Sequence, residues 1–325
     1  MPSNSFISLI HRWNGYWFAE SAGVQLAVCR VVVVAAQLFL FFPSLDSQLM
    51  FLRPFGGFID PQILIVAISK LLPDNLFPTV AALTIIYWTT VAAGITTLIG
   101  FLTRSSALVF ALGNWILVAH KYSYGEDHHP EAILCIFLML LALSPSGRRL
   151  SVDALIDGYR NPDGQRSSEK ISTALWPLKL TQLLLCFAYV STGLAKLVYG
   201  GLAWMNGYTL QQIIFTSAVS RDIPLGIWLA QQHTLCMLLS IGVILFEVFF
   251  FVGFLIPRTL PYFVVGGVLL HLGIYFAEGS PFFQYIVLYA VFIDFDKWLG
   301  RVRGDLRSVA SAQDPVAGSR LAAEI

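Results

Sequence analysis

Residues 176–199 read WPLKLTQLLLCFAYVSTGLAKLVY, a predominantly apolar run in which Lys179 and Lys196 are the only charged residues. A helix needs about 20 apolar residues to cross the hydrocarbon core of a bilayer. The length and apolarity of this stretch therefore predict a membrane-spanning helix, and they place the chain among membrane proteins.

The composition of the whole chain agrees with this prediction. Hydrophobic residues make up 57% of the 325 positions, charged residues make up only 12%, and the mean hydropathy is +0.72. A soluble domain carries about 25% charged residues, so this chain has too little charge to cover a surface exposed to water. Lipid is expected to solvate most of it. The net charge of +1 gives no reason to expect a nucleic-acid partner.

Seven further segments have the length and apolarity of membrane spans, although two of them, 132–143 and 281–293, are short. With residues 176–199 they make eight spans, and the sequence predicts an all-α protein, a polytopic bundle of about eight transmembrane helices. Residues 61–72 are apolar but too few to cross, so they predict a surface or re-entrant helix. The seven further segments are 22–42, 83–102, 105–121, 132–143, 233–255, 261–277 and 281–293.

Lysine and arginine are distributed unevenly between the two ends of these spans. With the N-terminus placed in the cytoplasm, 13 of them fall on the cytoplasmic side, 4 on the other side and 3 within spans. Cytoplasmic loops carry an excess of Lys and Arg, so both termini are predicted to be cytoplasmic. Residues 1–21 are then an interfacial amphipathic segment, 22–296 the transmembrane domain and 297–325 a polar cytoplasmic tail.

Ionisable residues inside the spans are informative because hydrocarbon penalises a charge. Arg30 lies about 8 residues from the cytoplasmic end of the first span, and Glu247 lies about 8 residues from that of the sixth. At ~1.5 Å per residue these two side chains have a similar depth. The sequence therefore predicts that Arg30 and Glu247 form a structural ion pair.

A polar stripe marks one face of the span at 176–199. Tyr189, Thr192 and Lys196 are spaced so that they share a helical face, and a polar stripe on an apolar helix points into the protein. His271, in the seventh span, is predicted to lie at a similar depth. Two interpretations stand at this point. Either Lys196 extends to the headgroups and His271 is a packing residue, or a desolvated Lys196 amine acts as a general base.

The loop at residues 120–131 reads HKYSYGEDHHPE and holds three of the six histidines together with three carboxylates. This composition is typical of a catalytic mouth with histidine as acid or base, of a metal site, or of a solvated loop. Its spacing matches no established metal motif, so no metal is predicted. The loop residues, Trp204 and the residues above share one side of the predicted membrane, which favours a pocket for a lipid-soluble ligand open to the outer leaflet. The set is Lys196, His271, His120, His128, His129, Glu131 and Trp204.

Four short runs, taken in order, resemble a known family. The runs YVSTGLAKL at 189–197 and WMNGY at 204–208 resemble the Y-x-x-x-G-x-x-K-L and W-x-x-G-Y pattern of vitamin K-dependent gamma-carboxylases. They equally resemble the bacterial relatives of those enzymes, the HTTM (horizontally transferred transmembrane) family. The segment at 143–153 is similar to an end-of-span segment of that family, and the runs around Glu247, His271 and Phe282 are similar to its later spans. The resemblance extends over roughly residues 10–296.

The resemblance implies a function for these residues. In the carboxylases a lysine deprotonates a reduced quinone, vitamin K hydroquinone, whose reaction with oxygen yields the base that prepares glutamate for carboxylation. The matching lysine here is Lys196, and the family histidine matches His128 or His129. The resemblance implies that these residues and His271 are catalytic. It also implies a carbon–carbon lyase activity in a bacterial inner membrane, with membrane lipid and a quinone as partners. The residues that would bind the substrate are His120, Glu131, Tyr189 and Trp204.

One departure from the carboxylases weighs against protein carboxylation. Those enzymes hold their protein substrate in a large extracytoplasmic domain after the spans, whereas this sequence stops about 30 residues after its last predicted span. Two other classes therefore remain open. One is a non-enzymatic accessory or scaffold subunit of a redox or export system, with an unspecified protein partner. The other is a transporter, for which Arg30, Glu247 and Gln25 are the candidate pathway residues.

Overall fold

The computed structural model describes residues 4–19, 21–50, 52, 60–73, 76–125, 129–160 and 175–298. These residues form helices joined by turns, with no β-strand among them, which confirms the predicted all-α fold. A π-helical segment and two 3₁₀ turns extend three of the helices. The helices are α1 Asn4–Trp17, α2 Val24–Ala36 with π-helix Gln37–Phe41, α3 Leu45–Met50, α4 Ile63–Leu71, α5 Val80–Ile99, α6 Thr103–Tyr122, α7 His129–Leu143, α8 Val152–Arg160, α9 Trp176–Gly200 with 3₁₀ turn Gly201–Asn206, α10 Tyr208–Arg221, α11 Pro224–Ala230, α12 His233–Leu255, α13 Leu260–Glu278 and α14 Phe283–Leu288 with 3₁₀ turn Tyr289–Phe292.

Five helical segments among the described residues are long and apolar enough to cross a membrane. They coincide with five of the eight predicted spans. Two more apolar helices, Pro130–Leu143 and Phe283–Phe292, are shorter, and the long helix α6 is more polar. The count of eight spans therefore stays a prediction. The five segments are Val24–Phe41, Val80–Ile99, Trp176–Asn206, His233–Leu255 and Leu260–Glu278.

The two predicted peripheral helices are both present as helices. Helix α1 exposes Ile10, Trp13 and Tyr16, an arrangement that suits the predicted interfacial segment,. Helix α4 lies within the predicted segment 61–72 and packs its buried Ile65 against Leu83 of α5 and Ala119 of α6. Apolar contacts thus hold α4 on the outside of the α5–α6 pair.

Several loops meet at one end of the bundle, here named the arginine face and defined as residues 22–25, 100–103, 144–153 and 293–296. Asp296 accepts a hydrogen bond from Val24 N at 3.1 Å, and Arg149 donates to Ala22 O at 3.0 Å. Phe250, near the end of α12, contacts the Phe292 ring beside this face. Gln182, near the start of α9, donates to Val291 O at 2.6 Å on the same side. The helices α2, α5, α6, α7, α9, α12, α13 and α14 therefore alternate in direction along the chain.

Arg30 reaches the arginine face from inside the bundle. Its side chain is fully buried, and its guanidinium donates to Ser146 O at 2.6 Å and to Leu150 O. These carbonyls follow the end of α7, where backbone oxygens lack helical partners. The predicted ion pair between Arg30 and Glu247 is wrong, because Arg30 binds backbone carbonyls and Glu247 binds Lys196.

Asp153 completes this junction between the loop at 100–103 and the loop at 144–153. Its carboxylate accepts hydrogen bonds from Leu102 N at 2.9 Å, Thr103 N at 2.8 Å and Thr103 Oγ1 at 2.6 Å. Burial alone would raise the pKa of the Asp153 carboxyl, but the hydrogen bonds from Thr103 and Leu102 and the charge of Arg30 lower that pKa below its ordinary value. The ionised carboxylate therefore stabilises the fold.

The Asp153→Asn variant should be less stable than wild type at neutral pH. A neutral amide accepts these hydrogen bonds less well and loses the attraction of Arg30, so we expect a loss of about 1.5–3 kcal/mol in the free energy of unfolding. The measurement is thermal unfolding in detergent, followed by intrinsic fluorescence.

The pH dependence of this effect has a defined sign. Because the pKa of Asp153 in the folded protein is lowered, its stabilisation is present above the ordinary pKa of 3.8 and is lost as the pH falls toward the lower value,. The difference between Asp153→Asn and wild type should therefore shrink below about pH 4. Asp222→Asn, at an exposed carboxylate, is the control and should match wild type. A variant at Asp153 that is as stable as wild type at neutral pH would contradict the assignment.

Candidate functional site

The candidate site begins where α9 and α12 cross closely. A Cβ atom at Gly193 would lie only 2.9 Å from Glu247 Cβ and 2.9 Å from Val248 N. Glycine therefore allows the two backbones to approach, as small residues do between membrane helices. This approach brings Tyr189 and Lys196 of the predicted polar stripe against α12, whereas the third residue, Thr192, is exposed.

The approach places a lysine and a glutamate in direct contact. Lys196 Nζ lies 2.6 Å from both carboxylate oxygens of Glu247, and the side chains are 20% and 8% exposed. The amine also lies 5.3 Å from the centroid of the Trp204 ring, a cation–π distance,. Glu247 is 14 residues after His233 and 8 before Leu255, so the ion pair lies inside the span rather than at its end.

A second group of polar side chains lies beside the ion pair. Tyr189 Oη lies 2.6 Å from His271 Nε2 and also forms a hydrogen bond with Tyr289 Oη. The His271 ring stacks on Tyr285 with centroids 4.9 Å apart and on Phe282 at 5.7 Å. This packing holds the imidazole in a fixed orientation.

The two groups are neighbours through α9. Tyr189 is one helical turn from Gly193, and its ring stacks on Phe250 of α12 at 4.4 Å, one turn from Glu247. A Cβ at Gly267 would lie 1.9 Å from Tyr289 Oη, so this glycine allows the phenol to lie against α13. We name the set Tyr189, Lys196, Glu247, His271 and Tyr289 the polar cluster.

The residues of the predicted loop at 120–131 have their own contacts. His120 is buried, with its Nδ1 3.2 Å from Gln48 Oε1, and its ring meets Tyr124 edge to face. Glu131 forms an ion pair with Lys121 at 3.1 Å. His128 lies outside the described residues. His129 begins α7, but its side chain lies outside what the structure describes.

Of the residues singled out from sequence, the structure brings together Tyr189, Lys196, Trp204 and His271. It pairs Glu247, which the sequence had assigned to Arg30, with Lys196, and it adds Tyr289, which the sequence reasoning missed, as the partner of Tyr189. The spacing of Tyr189, Gly193 and Lys196 on one face was the available signal for a close helix contact. Within the described ranges, no group of three or more His, Cys, Asp or Glu residues could hold a metal ion.

Comparison with known proteins identifies the family. Residues 60–298 match the HTTM domain. The chain belongs to the HTTM domain family. With its five long apolar helices, this makes it an integral membrane protein of that family. No curated protein and no solved structure matches the chain. In this HTTM protein the polar cluster and Trp204 all lie within the matched region.

A double-mutant cycle should show that Lys196 and Glu247 are coupled. Lys196→Ala should lower the free energy of unfolding by about 3–5 kcal/mol, since it leaves the buried Glu247 carboxylate without its partner,. Glu247→Gln should cost less, since the Lys196 side chain that it leaves unpaired is 20% exposed. The double variant should lose clearly less than the sum of the two losses. Chemical unfolding in detergent measures all four proteins.

The control cycle uses the pair that sequence reasoning proposed. Arg30→Gln and Glu247→Gln should be additive within about 0.5 kcal/mol, because Arg30 binds backbone carbonyls on the arginine face,. Coupling between Arg30 and Glu247, with additivity between Lys196 and Glu247, would reverse our assignment.

Gly193→Ala should disturb the site through packing alone. The added methyl group would meet Glu247 Cβ and the backbone of α12, so we expect a destabilisation of about 1–3 kcal/mol, measured by thermal unfolding in detergent,. Gly242→Ala on α12 is the matched control. A Cβ there meets nothing within 4 Å, so this variant should be at least as stable as wild type,. Equal effects of the two substitutions would argue against a close crossing at Gly193.

Proposed function

We propose that the polar cluster binds the headgroup of a reduced quinone-like lipid and accepts a proton from its hydroxyl group. The observation that carries this proposal is the ion pair between the partly buried Lys196 and the buried Glu247, which lies inside the spans beside the hydrogen-bonded Tyr189 and His271. Intramembrane ionisable residues are by default candidates for function. Aromatic rings surround them here, and such a lining suits a ring-shaped ligand.

The charge of the site favours a neutral ligand. Lys196 and Glu247 together carry no net charge, and no other charged side chain belongs to the polar cluster. An anionic headgroup would add an unpaired charge in a medium of low dielectric constant, which is costly. A phenolic hydroxyl adds none and can donate to Glu247 while accepting from Lys196.

The ion pair assigns a role to each partner. An ammonium group bound by a carboxylate has no free lone pair, so Lys196 is the charge-stabilising donor rather than the base acting alone. Glu247 accepts the proton at a carboxylate oxygen, and Lys196 keeps its positive charge beside the ligand oxygen that has lost the proton. A bound reduced quinone supplies two protons and two electrons, which reduce dioxygen to hydrogen peroxide.

The second group of the cluster, His271 with Tyr189 and Tyr289, orients the side chains that form the wall of the site. His271 and Tyr189 share a hydrogen bond, and Tyr189 is in turn bonded to Tyr289. Histidine can take up and release protons near neutral pH. We assign His271 the role of holding Tyr189 against Phe250, which fixes the wall of the site next to Glu247.

The proposal includes a placement in the membrane. We place both termini in the cytoplasm of a bacterial cell, with α6, α7 and α14 completing eight crossings of the inner membrane. Support comes from the loops next to the arginine face, which carry Arg104, Arg148, Arg149, Arg160 and Arg258,. The resemblance to the membrane domain of vitamin K-dependent gamma-carboxylases supports quinol oxidation as the shared step.

Oxygen uptake tests the proposed reaction. Purified protein in lipid nanodiscs, given a reduced short-chain menaquinone, should consume dioxygen faster than empty nanodiscs. Lys196→Ala and Glu247→Gln should each lower the rate by about 100-fold, the size of effect that loss of a positioned acid–base group produces. An oxygen electrode measures the rates.

The control for this experiment is Lys297→Ala, which removes an exposed lysine and should leave the rate unchanged. Equal rates of oxygen uptake by wild type and by both variants of the ion pair would refute the catalytic proposal. Uptake by wild type no faster than by empty nanodiscs would do the same, and it would favour a non-enzymatic accessory role.

A further inference from the structure

One buried hydroxyl group differs from all the others in the described part of the chain. Nine serine and threonine side chains there are buried, and eight of them donate a hydrogen bond to a protein oxygen. Ser240, at 0% exposure, is the ninth, and its Oγ has no hydrogen-bond partner among the described residues. The eight satisfied side chains are Thr90, Thr97, Thr103, Ser123, Ser144, Ser146, Ser151 and Thr181.

Ser240 lies on the face of α12 that carries Glu247. The two residues are seven positions apart, which is two helical turns, so their side chains leave α12 in nearly the same direction. The buried Ile244 lies between them. The unsatisfied hydroxyl is therefore in line with the ion pair, about 10 Å from it along the helix axis.

The contacts of α12 with α9 enclose this hydroxyl. At one end Gly193 packs against Val248, since a Cβ on this glycine would lie 2.9 Å from Val248 N. At the other end Gly207 packs against Met237, since a Cβ there would lie 2.5 Å from Met237 Cα. Ser240 lies between these two contact points on α12. On the facing segment, Lys196 and Trp204 lie between Gly193 and Gly207.

Helix α13 packs against another side of the same part of α12. A Cβ at Gly266 would lie 3.0 Å from Phe246, and Ala277 packs in one buried cluster with Cys236. His271 lies between these two contact points on α13, just as Ser240 lies between them on α12. The face shared by Ser240 and Glu247 is thus bordered by α9 and by α13.

We infer that Ser240 is a second ligand-binding residue of this site and that it binds the second ring oxygen of the proposed ligand. One oxygen meets Lys196 and Glu247, and the other accepts a hydrogen bond from Ser240. This inference rests on the proposed binding function and deepens it by naming the residue that recognises the second oxygen. A buried hydroxyl group is costly without a partner, so the ligand supplies what the protein does not.

Two probes of the same size test the inference. In 4-methoxy-1-naphthol the second substituent contains an oxygen, and in 4-ethyl-1-naphthol a methylene group replaces that oxygen. Wild-type protein in detergent should bind the methoxy probe about tenfold more tightly than the ethyl probe, as one hydrogen bond predicts. Ser240→Ala should bind both with the weaker affinity. Quenching of tryptophan fluorescence measures binding.

Ser191→Ala is the matched control, since this exposed hydroxyl donates to Ala188 O within its own helix. It should keep the tenfold preference. A preference that survives in Ser240→Ala overturns the inference, and so does an equal loss of affinity for both probes. A lower unfolding temperature of ligand-free Ser240→Ala overturns it as well, because it would mean that Ser240 already has a structural partner.

The binding experiment is independent of turnover. If Lys196→Ala leaves oxygen uptake unchanged while the preference depends on Ser240, the proposed oxidation fails and the ligand contact stands. If oxygen uptake depends on Lys196 while Ser240→Ala keeps the preference, the oxidation stands and this inference fails.

Discussion

The ammonium group of Lys196 is tolerated among the spans only because the carboxylate of Glu247, on the neighbouring helix α12, binds it. That contact requires α9 and α12 to approach closely, and Gly193 makes the approach possible,. The approach in turn sets Tyr189 against Phe250 and within reach of His271. The polar cluster is therefore a consequence of one helix crossing, and its parts depend on each other.

The cluster combines a charged pair of zero net charge with a hydrogen-bonded histidine between aromatic rings. Such an interior discriminates by charge as well as by shape, since each additional charge would lack a counter-ion. The arginine face works differently. There Arg30 and Asp153 bind groups of two loops, and they hold the ends of α5, α6 and α7, which contribute no residue to the polar cluster.

Much of the fold could be predicted from the sequence, because an apolar run long enough to cross a membrane is by itself the signal for a helix. The polar stripe on α9 also placed Tyr189 and Lys196 in the protein interior. The partner of Glu247 could not be predicted. The depth of each charged residue was estimated by counting from the ends of the predicted spans, and this count fails for Lys196 because α9 with its 3₁₀ turn is 31 residues long. Arg30 escaped prediction for another reason: its partners are backbone carbonyls, which no pattern of side chains reveals.

The contacts of Arg30 also bear on how the chain enters the bilayer during synthesis. Its carbonyl partner at Ser146 lies 116 residues further along the chain, which takes roughly 6 to 23 s to synthesise at typical translation rates. Until then the first hydrophobic segment must hold a guanidinium without these ligands, at the insertion machinery or in the lipid. The valine-rich segment around Arg30 offsets the free-energy cost of inserting this guanidinium. The cost is removed only when α7 and the carbonyls that follow it have joined the bundle.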